Sequence, residues 1–139
     1  MTNKISIAAA VIRDAEGRVL LVRKRGTTAF MQPGGKIEPG EDPLFALARE
    51  LKEELGCGLR FPSARYLGEF AAPAANEAGQ VVVAKLYNVA VDGTVTPAAE
   101  IDEVAWVDPR APGDCILAPL TRDAVLPLMT GDNGSAHLT

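Results

Sequence analysis

The segment from Asp42 to Gly56, DPLFALARELKEELG, constrains the fold more than any other stretch of the chain. Asp42 is a good N-cap, Pro43 suits the first helical position, and Gly56 can adopt the left-handed conformation that closes a helix after Leu55. Between these ends Leu44, Leu47, Ala48, Leu51 and Leu55 recur at helical spacing, so at about 100° per residue they form one apolar stripe. A helix that is apolar along one stripe has to bury it, and the runs on either side are β-prone. The helix is therefore expected to pack on a sheet.

ISIAAAVIRD and RVLLVRK, separated by AEG, read as the first two strands joined in a hairpin, with Gly17 at the permissive turn position. FMQPGGK reads as a short strand interrupted by Pro33 and two glycines, leading into a loop through Pro39 and Gly40 where backbone dominates. ARYLGEFAA and QVVVAKLYNVAVDG read as strands joined by PAANEAG, and EVAWVD as another after the acidic approach EIDE. LAPLTRDAVLPLM suggests a second helix with Thr121 as N-cap and Ala124, Val125 and Leu128 on its buried side, kinked by Pro127. These elements define an α/β protein in which strands outnumber helices. A length of 139 residues fits one domain over 1–139, with 131–139, GDNGSAHLT, as a polar flexible tail. The lone His137 lies in that tail and reads as a solvated residue, which excludes a histidine-dependent catalytic triad.

Hydrophobic residues make up 47% of the chain and charged ones 23%, an ordinary globular balance, and a net charge of −4 argues against nonspecific nucleic-acid binding. No apolar run approaches the roughly 20 residues needed to cross a bilayer. Cys57 and Cys115 have neither metal-ligand spacing nor a secretory leader before them, so the expected setting is a reducing cytoplasm, without membrane attachment.

Glu50, Glu53 and Glu54 stand at i, i+3 and i+4 on the helix, which brings like charges together on a surface away from the leucine stripe. A solvated helix face, with Arg49 pairing Glu53, is the plain explanation. Two neighbours favour another. A glycine-rich loop precedes the helix closely, and Glu41 at the helix entrance is placed to pair with Arg49. Hard divalent ions prefer oxygen ligands and bind through a few carboxylates, retained waters and substrate phosphates.

Gly35, Glu41, Arg49, Glu50, Leu51, Glu53, Glu54 and Gly56 match, in identity and spacing, the box that defines the Nudix hydrolases, so the chain resembles that family. One position departs: Cys57 stands where the family carries an aliphatic residue, a small buried group that packs almost as well. The resemblance implies a Nudix-type α/β/α sandwich with a mixed central β-sheet and metal-dependent hydrolysis of a nucleoside diphosphate-linked substrate. It implies that Glu50, Glu53 and Glu54, with the carbonyl of Gly35, bind Mg²⁺ or Mn²⁺, and that one of the three glutamates acts on the attacking water. Arg49 and Glu41 would orient the cluster. In the family a carboxylate from a loop outside the box often reaches the metals; Glu103 and Glu100 are the candidates, ahead of Glu77 and Asp102.

Phosphate contacts are expected from Arg23 or Arg25, which share one strand face while Lys24 takes the other, and from Lys36 after the glycines. Phe30 is placed either to stack on a base or to fill the core, and Trp106 to fill the core. The expected substrate is a nucleoside triphosphate, oxidised ones included, to be cleaved to monophosphate and pyrophosphate. ADP-ribose or another nucleotide sugar is the alternative, with Pro73 near the spacing associated with ADP-ribose hydrolysis. A non-catalytic nucleotide sensor would have lost box acids, and none is lost; an isoprenoid diphosphate isomerase would need an activated cysteine, whereas Cys57 sits in a packing position. Long strands and the habit of the family leave room for a homodimer.

Overall fold

The computed structural model describes residues 3–75 and 77–130; His137 and the rest of 131–139 lie outside them. The chain forms strands β1 (Asn3–Val11), β2 (Val19–Lys24), β3 (Phe30–Met31) and β4 (Gly34–Lys36), then helix α1 (Pro43–Leu55). There follow β5 (Gly58–Leu59), β6 (Arg65–Pro73), β7 (Gln80–Asn88), β8 (Val91–Asp92), β9 (Ile101–Val107) and a short C-terminal helical segment ending in α2 (Leu126–Met129).

Two main sheets result. The first runs β4-β1-β7-β6, with β1 parallel to β7 and the outer pairings antiparallel, so it is mixed. The second runs β3-β2-β9 and is antiparallel. The expected hairpin between the first two strands exists only at its tip. Gly17 turns with φ +80°, Leu20 N–H donates to Ile12 C=O, and beyond that the strands diverge into different sheets. The pairing choice is tertiary: nine consecutive residues of β1 find partners on β7, far more than a short hairpin offers.

Side chains alternate across both sheets with the period of two that a strand imposes. Ala8, Ala10, Leu20 and Val22 face a cluster with Leu47, Leu51, Leu55 and Cys57, whereas Ala9, Val11, Val19 and Leu21 face a second cluster with Phe30, Leu86 and Val125. Burial on both faces makes the α/β/α sandwich. The α1 stripe behaves as its spacing requires: Leu47, Leu51 and Leu55 have no exposed surface, and each contributes roughly 1.5–3 kcal/mol by leaving water. The helix ends are also as expected. Asp42 Oδ1 accepts from the N–H of Leu44 at 2.8 Å, and Gly56 closes the helix at φ +67°.

The C-terminal segment departs from expectation. Thr121 is not an N-cap; the helical chain already begins at residue 119, and Thr121 opens a π-helical stretch, Thr121–Val125, before α2. Pro127 supplies the reason, because it lacks an N–H for the bond an α-helix would require and so favours a widened turn ahead of it.

Candidate active site

The three helix glutamates are not equivalent, which corrects the picture of a single exposed face. Glu53 is exposed, Glu50 is half-buried, and Glu54 is 2% exposed. The difference follows from β4. Glu54 points under the glycine pair, where its Oε1 accepts the N–H of Gly34 at 3.2 Å. Burial pushes the Glu54 carboxyl up to about 7, against the pull of the Gly34 N–H and Lys24. Burial likewise raises Glu50, with Arg49 opposing and Glu53 adding to the rise.

The first two residues of β4 leave no room for a side chain without displacing a neighbour, Glu50 at Gly35 and the β1 backbone at Gly34. A Cβ on Gly35 would stand 2.6 Å from Glu50 Oε1, and one on Gly34 would stand 2.8 Å from Ala9 Cα at a φ of +148°. The bare backbone lets the carboxylates of α1 lie directly on the strand. Gly35 pairs with Ala8 of β1, which fixes its height against the helix.

Arg49 pairs with Glu41 as expected and not with Glu53. Its Nη2 and Nε hold the two oxygens of Glu41 at 2.9 and 3.1 Å, its Nη1 reaches Glu50 Oε2 at 2.8 Å, and its Nη2 also reaches the carbonyl of Lys36 at 3.3 Å. One guanidinium therefore ties the helix entrance, the end of β4 and the Glu50 carboxylate together. Hydrogen bonding from Arg49, helped by the Glu38 N–H, holds the Glu41 carboxyl below its usual range.

Among the described residues, no three His, Cys, Asp or Glu side chains converge closely enough to hold an ion as they stand. Glu50 and Glu54 nevertheless form a pair of oxygen ligands on α1 against the two glycines of β4, with room kept open by Gly35. That suits a hard divalent ion held by one or two carboxylates, waters and phosphate oxygens.

Outside the helix the basic run divides differently from expectation. Arg23 points away from α1 and is held by Glu103 at 3.1 Å, Asp102 at 3.2 Å and the carbonyl of Thr27 at 2.9 Å. It lines an open groove of about 530 Å³ with Phe30 and Glu103. Arg25 lies past the end of β2 and donates to the carbonyl of Ala99. Lys24 is the cation near the carboxylates: it pairs with Glu100 at 3.3 Å and lowers both Glu50 and Glu54. Of the acids expected in loops, Glu100 precedes β9 and acts on Glu54, whereas Glu103 lies within β9 and is engaged by Arg23 across the strand pair. A register shift between Arg23 and Lys24 separates the two acids. Lys36 is exposed at the end of β4, Phe30 is core with 9% exposure, and Trp106 is half-buried against the α1 cluster. Cys57 is 1% exposed and burial raises its thiol, the opposite of an activated nucleophile. Alternation already set Lys24 opposite Arg23 and Arg25; what the sequence did not tell is that the Lys24 face is the one that carries α1.

A mixed sheet and a second sheet lie between helices, with two glycines of β4 laid over the α1 carboxylates and an arginine clamp at the helix entrance, an α/β/α sandwich built around a carboxylate-bearing helix. The NUDIX domain model matches residues 3–127, and the chain belongs to that family. The solution structure of the E. coli ORF135 protein superposes with a TM-score of 0.71 at 25% identity, over 99% of this chain and 94% of that one. An octanoyltransferase of Myxococcus xanthus is 40% identical over 111 residues, 75% of this chain and 30% of that protein. An 8-oxo-dGTP diphosphatase of Haemophilus influenzae is 43% identical over 56 residues, 37% of this chain and 41% of that protein. The chain thus spans less than half the length of these curated relatives. Among the described residues no helix is long and apolar enough to cross a membrane.

Proposed function

We propose that this chain hydrolyses nucleoside triphosphates, oxidised ones included, to the monophosphate and pyrophosphate with Mg²⁺ or Mn²⁺. The observation that carries the reading is the Glu50–Glu54 pair pressed against the paired glycines Gly34 and Gly35 of β4. A divalent ion there would polarise the phosphoryl oxygens and lower the pKa of an attacking water. Glu50 and Glu54 are the ligands proposed at the strand, with Glu53 at the solvent side and the Gly35 carbonyl beside Glu50. Arg49 and Glu41 are positioning residues that hold Glu50 at its height. Glu100 takes the role of the loop carboxylate in preference to Glu103, because Glu100 and its partner Lys24 are the groups that act on Glu54. Arg23, Arg25 and Lys36 remain the proposed phosphate contacts, with Lys24 added on the same grounds. The diphosphatase relative supports the triphosphate reading over the part of the chain that it matches.

ADP-ribose is the second reading, favoured by Pro73, which lines a cavity between the mixed sheet and the C-terminal helical segment. Product analysis separates the two. Incubation with triphosphates should release pyrophosphate and a nucleoside monophosphate; release of AMP and ribose 5-phosphate from ADP-ribose, with triphosphates untouched, would overturn the first reading. A cytoplasmic homodimer acting as one unit over 1–139 completes the proposal, in keeping with two free cysteines. Light scattering on the purified chain tests the assembly.

A further inference from the structure

The chain crosses from β3 to β4 through Gln32 and Pro33, and Gln32 there is 6% exposed. Its Oε1 accepts the hydroxyl of Thr121 at 2.8 Å, a bond spanning 89 residues of sequence. Its Nε2 is buried and has no hydrogen-bond partner, alone in this among the buried side-chain polar atoms of the described residues. A buried donor left unpaired is costly, and such a group in an otherwise satisfied protein calls for an explanation.

Gln32 and Thr121 line a cavity of about 70 Å³ whose walls come from Ile7, Ala9, Met31, Val82 and Leu120, with Pro73 and Ala75 also lining it. Among the described residues that line it, Gln32 and Thr121 are the polar ones. A cavity of this size admits water, yet a stable buried water makes two to four hydrogen bonds and Gln32 and Thr121 are the two polar side chains on an otherwise apolar lining. A water there would be poorly held and readily displaced. Apolar walls with one neutral amide donor suit the edge of a flat, uncharged ring and not a phosphate. The cavity is also well placed for a substrate. Gly34, whose N–H holds Glu54, follows Gln32 by two residues, about 7 Å of extended chain.

We propose that the side-chain amide of Gln32 reads the base of the substrate, donating its unpaired N–H to an exocyclic carbonyl oxygen, with Thr121 holding the amide in that orientation. This rests on the nucleotide reading above and deepens it: guanine, uracil, thymine and their oxidised forms are favoured over adenine and cytosine, which carry an amino group at the corresponding position. The reverse amide orientation would favour the amino bases instead, so the sign of the preference is a test of the proposal.

The experiment compares kcat/KM for GTP with ATP and for UTP with CTP, using the wild-type chain with Mg²⁺. The keto member of each pair should be preferred by about tenfold or more, as expected for a buried donor with or without its acceptor. The double variant Gln32→Met/Thr121→Val removes both polar partners at nearly constant shape and should keep the fold; its preference should fall to within about threefold. A structural defect alone would lower all four substrates together and leave the ratio intact, and that result overturns the inference. Equal wild-type turnover of the pairs, or a preference for ATP and CTP, overturns it while leaving the hydrolase reading in place. If none of the four is hydrolysed, the triphosphate reading fails, and NMR titration with GMP, AMP, UMP and CMP decides the recognition separately. A shift of the Gln32 side-chain amide with GMP and UMP only supports the inference; no shift with any of the four overturns it.

Discussion

Replacing Glu54 with glutamine separates the cost of burying a charge from its use. The carboxyl titrates near 7 in the folded protein against a usual value of 4.5, and burial is the main cause. Ionising it in place at pH 8 therefore costs the metal-free protein about 3 kcal/mol. The folded value is the higher one, so the folded state holds the proton more tightly. Stability is undiminished below about pH 4.5, falls as pH rises towards 7, and is level above that. Glutamine has the same shape, keeps an oxygen to accept the Gly34 N–H, and does not ionise. Metal-free Glu54→Gln should therefore be more stable than the wild type by up to about 3 kcal/mol at pH 8, with the gap closing near pH 4.5. Urea denaturation in a chelator at pH 5 and pH 8 measures both values. A variant less stable than wild type at pH 8, or a gap independent of pH, would refute the reasoning.

Gly35→Ala should keep its melting temperature within a few degrees, because its backbone angle is ordinary, yet lose at least tenfold in turnover as the new methyl displaces Glu50; Gly34→Ala, which meets backbone at a strained φ, should lose more than about 2 kcal/mol in stability as well. Arg49→Lys and Glu41→Gln should each lower kcat by about 10- to 100-fold, and the double variant should be little worse than either, since both act by holding Glu50. Full additivity would count against a shared role. Asp42→Ala should cost about 1 kcal/mol in chemical denaturation with kcat unchanged, as loss of a helix cap away from the carboxylates.

What was legible in the sequence was what local rules decide. Asp42, Pro43 and Gly56 mark the helix ends through bonds within a few residues, and the leucine spacing fixes the buried face whatever it packs on. The Arg49–Glu41 clamp was legible because both residues lie in one short stretch. Glu54 was not, because its burial depends on β4 lying over the helix, a contact that the paired glycines permit but do not announce. The separate sheets of β1 and β2 escaped for the same reason, since the turn at Gly17 is right locally while the partner of β1 is β7. Glu100 and Glu103 were told apart only by the register shift beside Lys24. Thr121 read as a cap because threonine at a helix start usually is one; its actual partner, Gln32, is distant in sequence.

The claim on which the site depends is that Glu50 and Glu54 share a divalent ion over the glycine strand. Mn²⁺ binding followed by electron paramagnetic resonance, on the wild type and on Glu50→Gln and Glu54→Gln, tests it without any substrate. The wild type should bind Mn²⁺, and each variant should bind it at least tenfold more weakly. Equal affinity in all three proteins would contradict the claim.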